Sequence, residues 1–308
     1  MSRIEIPGLY LDMPAADYFA DPCPTPSLTQ SVAKILLEKS PAHARLAHPR
    51  LNPLSGPEDA GYEANRIIGN AAHALMLGRG KQIMRLEVTN FRTAKAQELR
   101  DEALDAGLIP ILPHHYETAE QMVEVGRHEL KMRGIDLAEC DTEVVIAWKD
   151  DLPHGGFWFR SMIDAITRDR LTIFDYKTGG MSAAPHAVDR KMMMDGVHIQ
   201  AAFHEWGLDT LFPEGAGRRM HWFVFQENAA PYALTAFPLS EEWLTMGRKA
   251  VARAASHWCH WLHAGTWPMY PVDVECPPYP GWRMQAELNR EIAEAERPGA
   301  AATILDAG

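Results

Sequence analysis

The 308 residues are 46% hydrophobic, enough apolar side chain to close one large core. Lysine and arginine number 30 against 41 aspartate and glutamate, a formal net charge of -11, which excludes a protein that coats nucleic acid through its overall charge but not one that holds it in a local basic groove. No run of about 18 apolar residues exists to span a membrane, and Met1 to Tyr10 lack the apolar core of a signal peptide, so a cytoplasmic location is expected.

Residues 1–26 carry Pro7, Pro14, Pro22, Pro24 and Pro26 and read as an irregular segment. Ser27 or Thr29 caps a helix through Ser31 to Leu37, and Pro41 closes it or starts a new turn. Pro49, Pro53, Gly56 and Pro57 mark a loop over 49–59. A second helix covers Tyr62 to Leu77, with Ile67, Ala71, Ala74 and Leu75 near helical spacing and Gly78 and Gly80 ending it. Further helices are predicted over 93–106 and 114–133.

Then the period changes. Thr142 to Trp148 is β-branched and aromatic, as strands are. Asp150-Asp151 and Gly155-Gly156 supply turns, Phe157 to Ile166 forms a second strand, Asp169-Arg170 turns the chain, and Leu171 to Lys177 forms a third that Gly179-Gly180 ends. A helix follows over Val197 to Leu208, then strands over Met220 to Gln226 and Tyr232 to Phe237, then a long amphipathic helix from Glu241 to His263. Its stripe Trp258, Trp261 and Leu262 is read as core. The tail 286–308 starts helical, and its small residues from Pro298 onward are read as a flexible end. The order predicts one α/β domain over 27–285, with a mixed central sheet flanked by helices. The four cysteines, Cys23, Cys140, Cys259 and Cys276, lack C-x-x-C spacing and are expected as free thiols.

The chemistry gathers on the second and third strands. Side chains alternate along a strand, so Asp175 and Lys177 share a face with Leu171 and Ile173, while Arg160, Met162 and Asp164 share a face next door. The turn at Asp169-Arg170 makes the two strands a hairpin, across which Asp164 and Asp175 can converge. Converging carboxylates repel unless a cation lies between them, and oxygen ligands of this kind favour Mg²⁺ or Mn²⁺. Taken alone, Asp-x-Lys is more often a solvated strand end. Asp164 set among Met162, Ile163, Ala165 and Ile166 is different, because an aspartate in a core-type frame needs a partner.

Ile163-Asp164-Ala165-Ile166, with Asp164 eleven positions before the aspartate of Asp175-Tyr176-Lys177-Thr178-Gly179, resembles the signature of the PD-(D/E)xK nucleases. In detail it is similar to the RecB-like branch, and within it to the RecE or exonuclease VIII type of phage and prophage exonuclease. Ser40-Pro41-Ala42-His43, Gly69 followed by His73, Thr142-Glu143-Val144, His198-Ile199-Gln200, Gln226-Glu227 with Pro231-Tyr232, and Gly265-Thr266-Trp267-Pro268 with Tyr270 resemble that family's other segments in order, over about residues 27 to 272. His204 stands where relatives often carry tyrosine.

The resemblance implies a restriction-endonuclease-like α/β core. It implies a catalytic set of Asp164, Asp175 and Lys177, with His73 and the backbone carbonyl of Tyr176 joining the aspartates on the metal. A helical histidine such as His73 is otherwise most often structural. Glu143 reads as a metal ligand through water, an acid behind the ligands, or a solvated strand end. Gln200 reads as a contact to phosphate or to the Lys177 region, or as an ordinary helix contact. Arg160 is a candidate for DNA phosphate, as are Arg190 and Lys191, which otherwise form a solvated run. The expected activity is Mg²⁺-dependent exonucleolytic hydrolysis of linear duplex DNA in recombination, with a single-strand annealing protein as partner and a homo-oligomer as the assembly. An endonuclease or single-strand nuclease on the same fold, or a catalytically inactive DNA-binding or assembly module, are the alternatives.

Overall fold

The computed structural model describes residues 3–52, 63–150, 156–271, 276 and 278–296. Residues 53–59 of the loop expected over 49–59, the turn residues Asp151 and Gly155, and the tail from Pro298 lie outside them. The chain divides into two compact units, Met1–Met269 and Tyr270–Gly308.

In the first unit the N-terminal segment is not irregular. It forms strand β1 (Gly8–Tyr10) and helix α1 (Ala15–Phe19), with Ile4 and Tyr18 buried. Its prolines bracket these elements, Pro14 serving as the N-cap of α1. Then follow α2 (Gln30–Glu38), capped by the Thr29 hydroxyl, and α3 (Pro41–Ala47), which Pro41 opens at a position where its missing N–H costs nothing. Next come α4 (Ala64–Leu77), β2 (Ile83–Arg85), α5 (Ala94–Asp105), β3 (Ile109–Ile111) and α6 (Pro113–Met132). The long strands β4 (Cys140–Asp150), β5 (Phe157–Thr167) and β6 (Thr172–Gly179) form an antiparallel meander. Helices α7 (Val188–Asp195) and α8 (Val197–Leu211) cross over to β7 (Met220–Glu227), which pairs with β6 in parallel. Strand β8 (Leu234–Pro238) closes the sheet and α9 (Glu241–Ala264) returns along α8.

The six-stranded sheet runs β1-β4-β5-β6-β7-β8, mixed in direction, as the sequence predicts. Its two faces bury different helices. Val144, Ile146, Trp148, Phe159 and Ile173 pack with Val32 and Leu36 of α2, Phe203 and Leu208 of α8, and Val251 and Trp258 of α9. Ala165, Phe174, Tyr176 and Val224 pack with Ile67, Ala71 and Met76 of α4 and Met122 and Val123 of α6. Trp258, Trp261 and Leu262 belong to the first of these cores, as expected. β2 and β3 pair with each other in a separate parallel ribbon beside α4. The short runs that form them carry no period of two long enough to announce a strand.

The second unit holds α10 (Gly281–Ala295), all of whose residues are exposed. Among the described residues no helix is long and apolar enough to cross a membrane. The four cysteines are free thiols, Cys23 and Cys259 being buried.

Candidate active site

The site lies where β5 parts from its neighbours. The β5–β6 ladder holds at Ile166–Ile173 and Ala165–Phe174 and then stops, so the next opposed pair, Asp164 and Asp175, stands outside it. The Asp164 carboxylate replaces the missing ladder bond, its Oδ2 accepting the Tyr176 N–H at 2.9 Å. The β4–β5 ladder is interrupted at the same residue: Thr142–Ala165 and Val144–Ile163 pair, but Glu143 and Asp164 between them do not. Glu143 has φ 53°, a left-handed conformation that costs a non-glycine residue about 1–3 kcal/mol. Both irregularities fall on acidic residues facing one space.

His73 enters that space from α4. Its Nε2 lies 3.2 Å from Asp164 Oδ2 and its Nδ1 lies 3.7 Å from Glu143 Oε1. Its ring stacks on Tyr176 with centroids 6.1 Å apart. Gly69 explains how α4 comes so close: a Cβ there would meet Thr178 Oγ1 at 2.6 Å. Glycine one turn before His73 lets the helix cross the end of β6 and bring the imidazole onto Asp164.

Lys177 and Gln200 complete the set. Ile173 packs on the α8 face, so alternation sends Asp175 and Lys177 to that face too. There Gln200 of α8 donates from Nε2 to Asp175 Oδ2 and accepts from Lys177 Nζ at 3.0 Å. Lys177 Nζ lies 2.6 Å from Asp175 Oδ1, an ion pair that secures the ammonium against the strand.

The electrostatics drive the two aspartates apart. Burial opposes ionisation of Asp164, but His73, Lys177 and the Tyr176 N–H outweigh it and hold the carboxyl below its ordinary range. At Asp175 burial prevails over Lys177, aided by the Asp164 charge, and the carboxyl is pushed up. Burial lowers His73, yet Asp164 and Glu143 overcome it and raise the imidazole to about 9. Burial, followed by Asp164, raises Glu143. An ionised carboxylate that raises the acids around it, as Asp164 raises Glu143 and Asp175, is an ordinary setting for a cation.

The donors fit one. Ligand atoms of His73, Glu143 and Asp164 all lie within 4.8 Å of one another. One imidazole among carboxylates suits Mg²⁺ or Mn²⁺ better than a thiophilic metal. The cleft has a volume of about 890 Å³, and its walls include Asn70, His73, Lys81, Glu143, Asp164, Lys177 and Gln200.

Other expectations fare differently. Arg160 does borders the cleft but is 3% exposed, and its guanidinium is occupied by Asp21 Oδ1 at 2.8 Å, the Ser27 carbonyl and hydroxyl, and the Tyr18 carbonyl. That corrects its reading as a phosphate contact: it ties the N-terminal segment to β5. Lys191 is engaged by Asp195 at 2.8 Å, an i,i+4 pair, and lies over the Phe225 ring. Arg190 is exposed and does not line the cleft. Tyr176 gives its N–H to Asp164 and its hydroxyl to Gln226 at 2.5 Å. His204 is buried one turn after Gln200. Lys34, Asn70 and Lys81 also line the cleft without having been singled out: Asn70 lies between Gly69 and His73 and Lys34 within the predicted helix Ser31 to Leu37, where neither had a pattern of its own to mark it.

No protein-family model matches the sequence, and no curated protein is significantly similar to it. The fold is similar to the crystal structure of a provisionally assigned exonuclease from Eubacterium rectale, with a TM-score of 0.56 at 10% identity over 90% of this chain and 99% of that one. A phage-related exonuclease from Haemophilus somnus 129PT is matched over 78% of this chain and 96% of that one, at 13% identity and a TM-score of 0.31. The first likeness establishes the fold as a mixed six-stranded sheet between helices, shared across nearly the full length of both chains.

Proposed function

We propose that this chain is a divalent-metal-dependent nuclease that hydrolyses DNA phosphodiesters, acting as an exonuclease on linear duplex DNA. The observation that carries the reading is the convergence of His73, Glu143, Asp164 and Lys177 on one cleft, with buried Asp175 paired to Lys177, at the point where both β5 ladders break. The exonuclease assignment of the Eubacterium rectale protein with the same fold supports it, as does the resemblance of the Asp164 and Asp175-Tyr176-Lys177 segments to the PD-(D/E)xK signature. That resemblance also supports a place in phage-type recombination beside a single-strand annealing protein, and assembly as a homo-oligomer.

Asp164, Asp175 and His73 would hold the cation, with Glu143 beside them and the Tyr176 carbonyl as a further donor. When bound, Mg²⁺ or Mn²⁺ supplies positive charge to the phosphate oxygens and acidifies the attacking water. The protein's own work is positional. Gln200 clamps Asp175 and Lys177 together, fixing the ammonium at the cleft. From there Lys177 orients the water or stabilises charge developing on the phosphate. Asp164 holds the β6 backbone at Tyr176 as well as the His73 ring, so one residue sets the spacing of the site.

The test is incubation of the protein with end-labelled linear duplex and covalently closed circles in Mg²⁺ or Mn²⁺, with a chelator control. Linear DNA is degraded to short products, circles are spared, and chelation stops the reaction. Equal cutting of circles refutes dependence on an end and leaves the nuclease reading standing. DNA binding without hydrolysis in either metal replaces that reading with an inactive binding module.

A further inference from the structure

A chain with 41 acidic and 30 basic residues needs its positive charge concentrated if it is to hold a polyanion. One stretch does concentrate it. From residue 79 to residue 95 stand Arg79, Lys81, Arg85, Arg92 and Lys95 against a single acid, Glu87. All five basic residues are exposed. The stretch leaves α4 at Gly78, whose φ of 67° turns the chain five residues after His73, and runs through β2 to the start of α5. Arg79 pairs with Asp12 at 3.2 Å and Arg85 with Glu87 at 3.0 Å. Lys81, Arg92 and Lys95 have no acidic partner among the described residues.

The placement is tied to the candidate site. Gly80 and Lys81 line the same cleft as His73 and Asp164. A Cβ on Gly80 would lie 3.8 Å from the Glu143 carboxyl carbon, ordinary contact distance. The arm is also anchored, because Leu86, Ala96, Ile109 and Ile111 beneath it are buried.

Stability does not account for the charges. Lys95 occupies the first turn of α5, which holds no acid, while Asp101, Glu102 and Asp105 lie toward its end and no basic residue occupies its last turn. That order opposes the helix dipole, at a cost of about 0.3–1 kcal/mol for each charge in a terminal turn. Exposed, partly unpaired cations placed against the dipole and beside an acidic cleft fit an anionic partner that arrives from outside.

We infer that the arm over residues 79–95 is a backbone clamp for duplex DNA, with Lys81, Arg92 and Lys95 meeting phosphates beyond the one at the cleft. The inference rests on the nuclease reading for its ligand. Its test is binding, measured without hydrolysis: anisotropy of a labelled blunt duplex in EDTA over a range of salt, using the full chain. Compared with wild type, Lys81→Glu/Arg92→Glu/Lys95→Glu binds at least about tenfold more weakly, and the slope of log affinity against log salt becomes shallower by about 2–3. A control with the same charge change on other exposed cations, Lys131→Glu/Lys249→Glu/Arg253→Glu, binds nearly as wild type does. Equal binding by wild type and arm variant, absent binding included, overturns the clamp, as does an equal loss in the control. Because hydrolysis is not read, a clamp that fails in an active nuclease is distinguishable from a clamp present on a protein that does not cut.

Discussion

Arg160 is 3% exposed, with its guanidinium spread over Asp21, Ser27 and the Tyr18 carbonyl. Asp21 also meets His48 Nε2 at 3.3 Å and Arg50 at 3.5 Å. Removing one partner from a buried pair leaves the other charge uncompensated, so Arg160→Met is expected to cost about 3 kcal/mol in urea denaturation, and adding Asp21→Asn to recover part of it. An unchanged midpoint for the single variant would return Arg160 to the phosphate role. Lys177 is a different case. Its ammonium is held at the cleft by Asp175 and Gln200, and burial there is offset first by Asp175 and then by Asp164, which raise it. Lys177→Ala and Asp175→Asn are each expected to lower hydrolysis by at least about 10³-fold. The melting temperature of Asp175→Asn should stay near wild type, because burial already disfavours the Asp175 carboxylate. His73→Ala should instead move the Mn²⁺ activation curve to concentrations about tenfold higher or more. Wild-type turnover in the Asp175 and Lys177 variants, or an unmoved metal curve for His73, removes the residue concerned from the site.

Helix α4 delivers His73 only because Gly69 lets it cross β6 at Thr178. Gly69→Ala is therefore expected to push the helix off the strand and reduce hydrolysis, despite alanine's better helix propensity. Thr178→Ala removes the obstructing oxygen and leaves the nearest Thr178 atom 3.6 Å from the new Cβ, so the double variant should regain much of the loss. No recovery would mean that the crossing does not set the site. The same elements show what was legible in the sequence. β4, β5 and β6 were readable because β-branched and aromatic runs lie between clear turns. The Asp164–Asp175–Lys177 grouping was readable because hairpin register follows from turn position. The breaks in both ladders at Asp164 were not, since the positive φ of Glu143 is set by its surroundings rather than by its residue type. β2 and β3, at three residues each, are too short to carry a period. Arg160 was misread because alternation gives the face a side chain occupies, and says nothing of Asp21 arriving from 139 residues away.

At the scale of the whole molecule, a buried histidine pair should withdraw its contribution to stability well above the pH of general carboxylate protonation. His204 of α8 and His221 of β7 stack inside the protein with ring centroids 6.4 Å apart, and Nε2 of each is buried with no hydrogen-bond partner among the described residues. Burial pushes His204 down to about 4, only partly opposed by Asp164, and pushes His221 down to about 3, with His204, Arg219 and Arg248 adding to it. Both folded values lie below the unfolded value of about 6.5, so the unfolded chain takes up protons first as pH falls. Their contribution to stability is complete above pH 6.5 and is lost as pH drops toward about 4, by roughly 3 kcal/mol for His204 alone. Other groups act elsewhere or in the opposite sense. Asp21, depressed despite burial by His48 and Arg160, gives up its contribution only below the ordinary carboxylate range. Asp175, raised by burial, favours the folded state on acidification. The histidine contribution is therefore isolated by difference, from melting temperatures of wild type and His204→Phe/His221→Phe between pH 7.5 and 4.5. Across that interval the double variant, with no ring nitrogen to protonate at either position, should rise in stability relative to wild type as pH falls, whatever the net slope that Asp175 and His73 impose on both proteins. Parallel curves would mean that the buried pair takes up its protons in the folded state as readily as in the unfolded one.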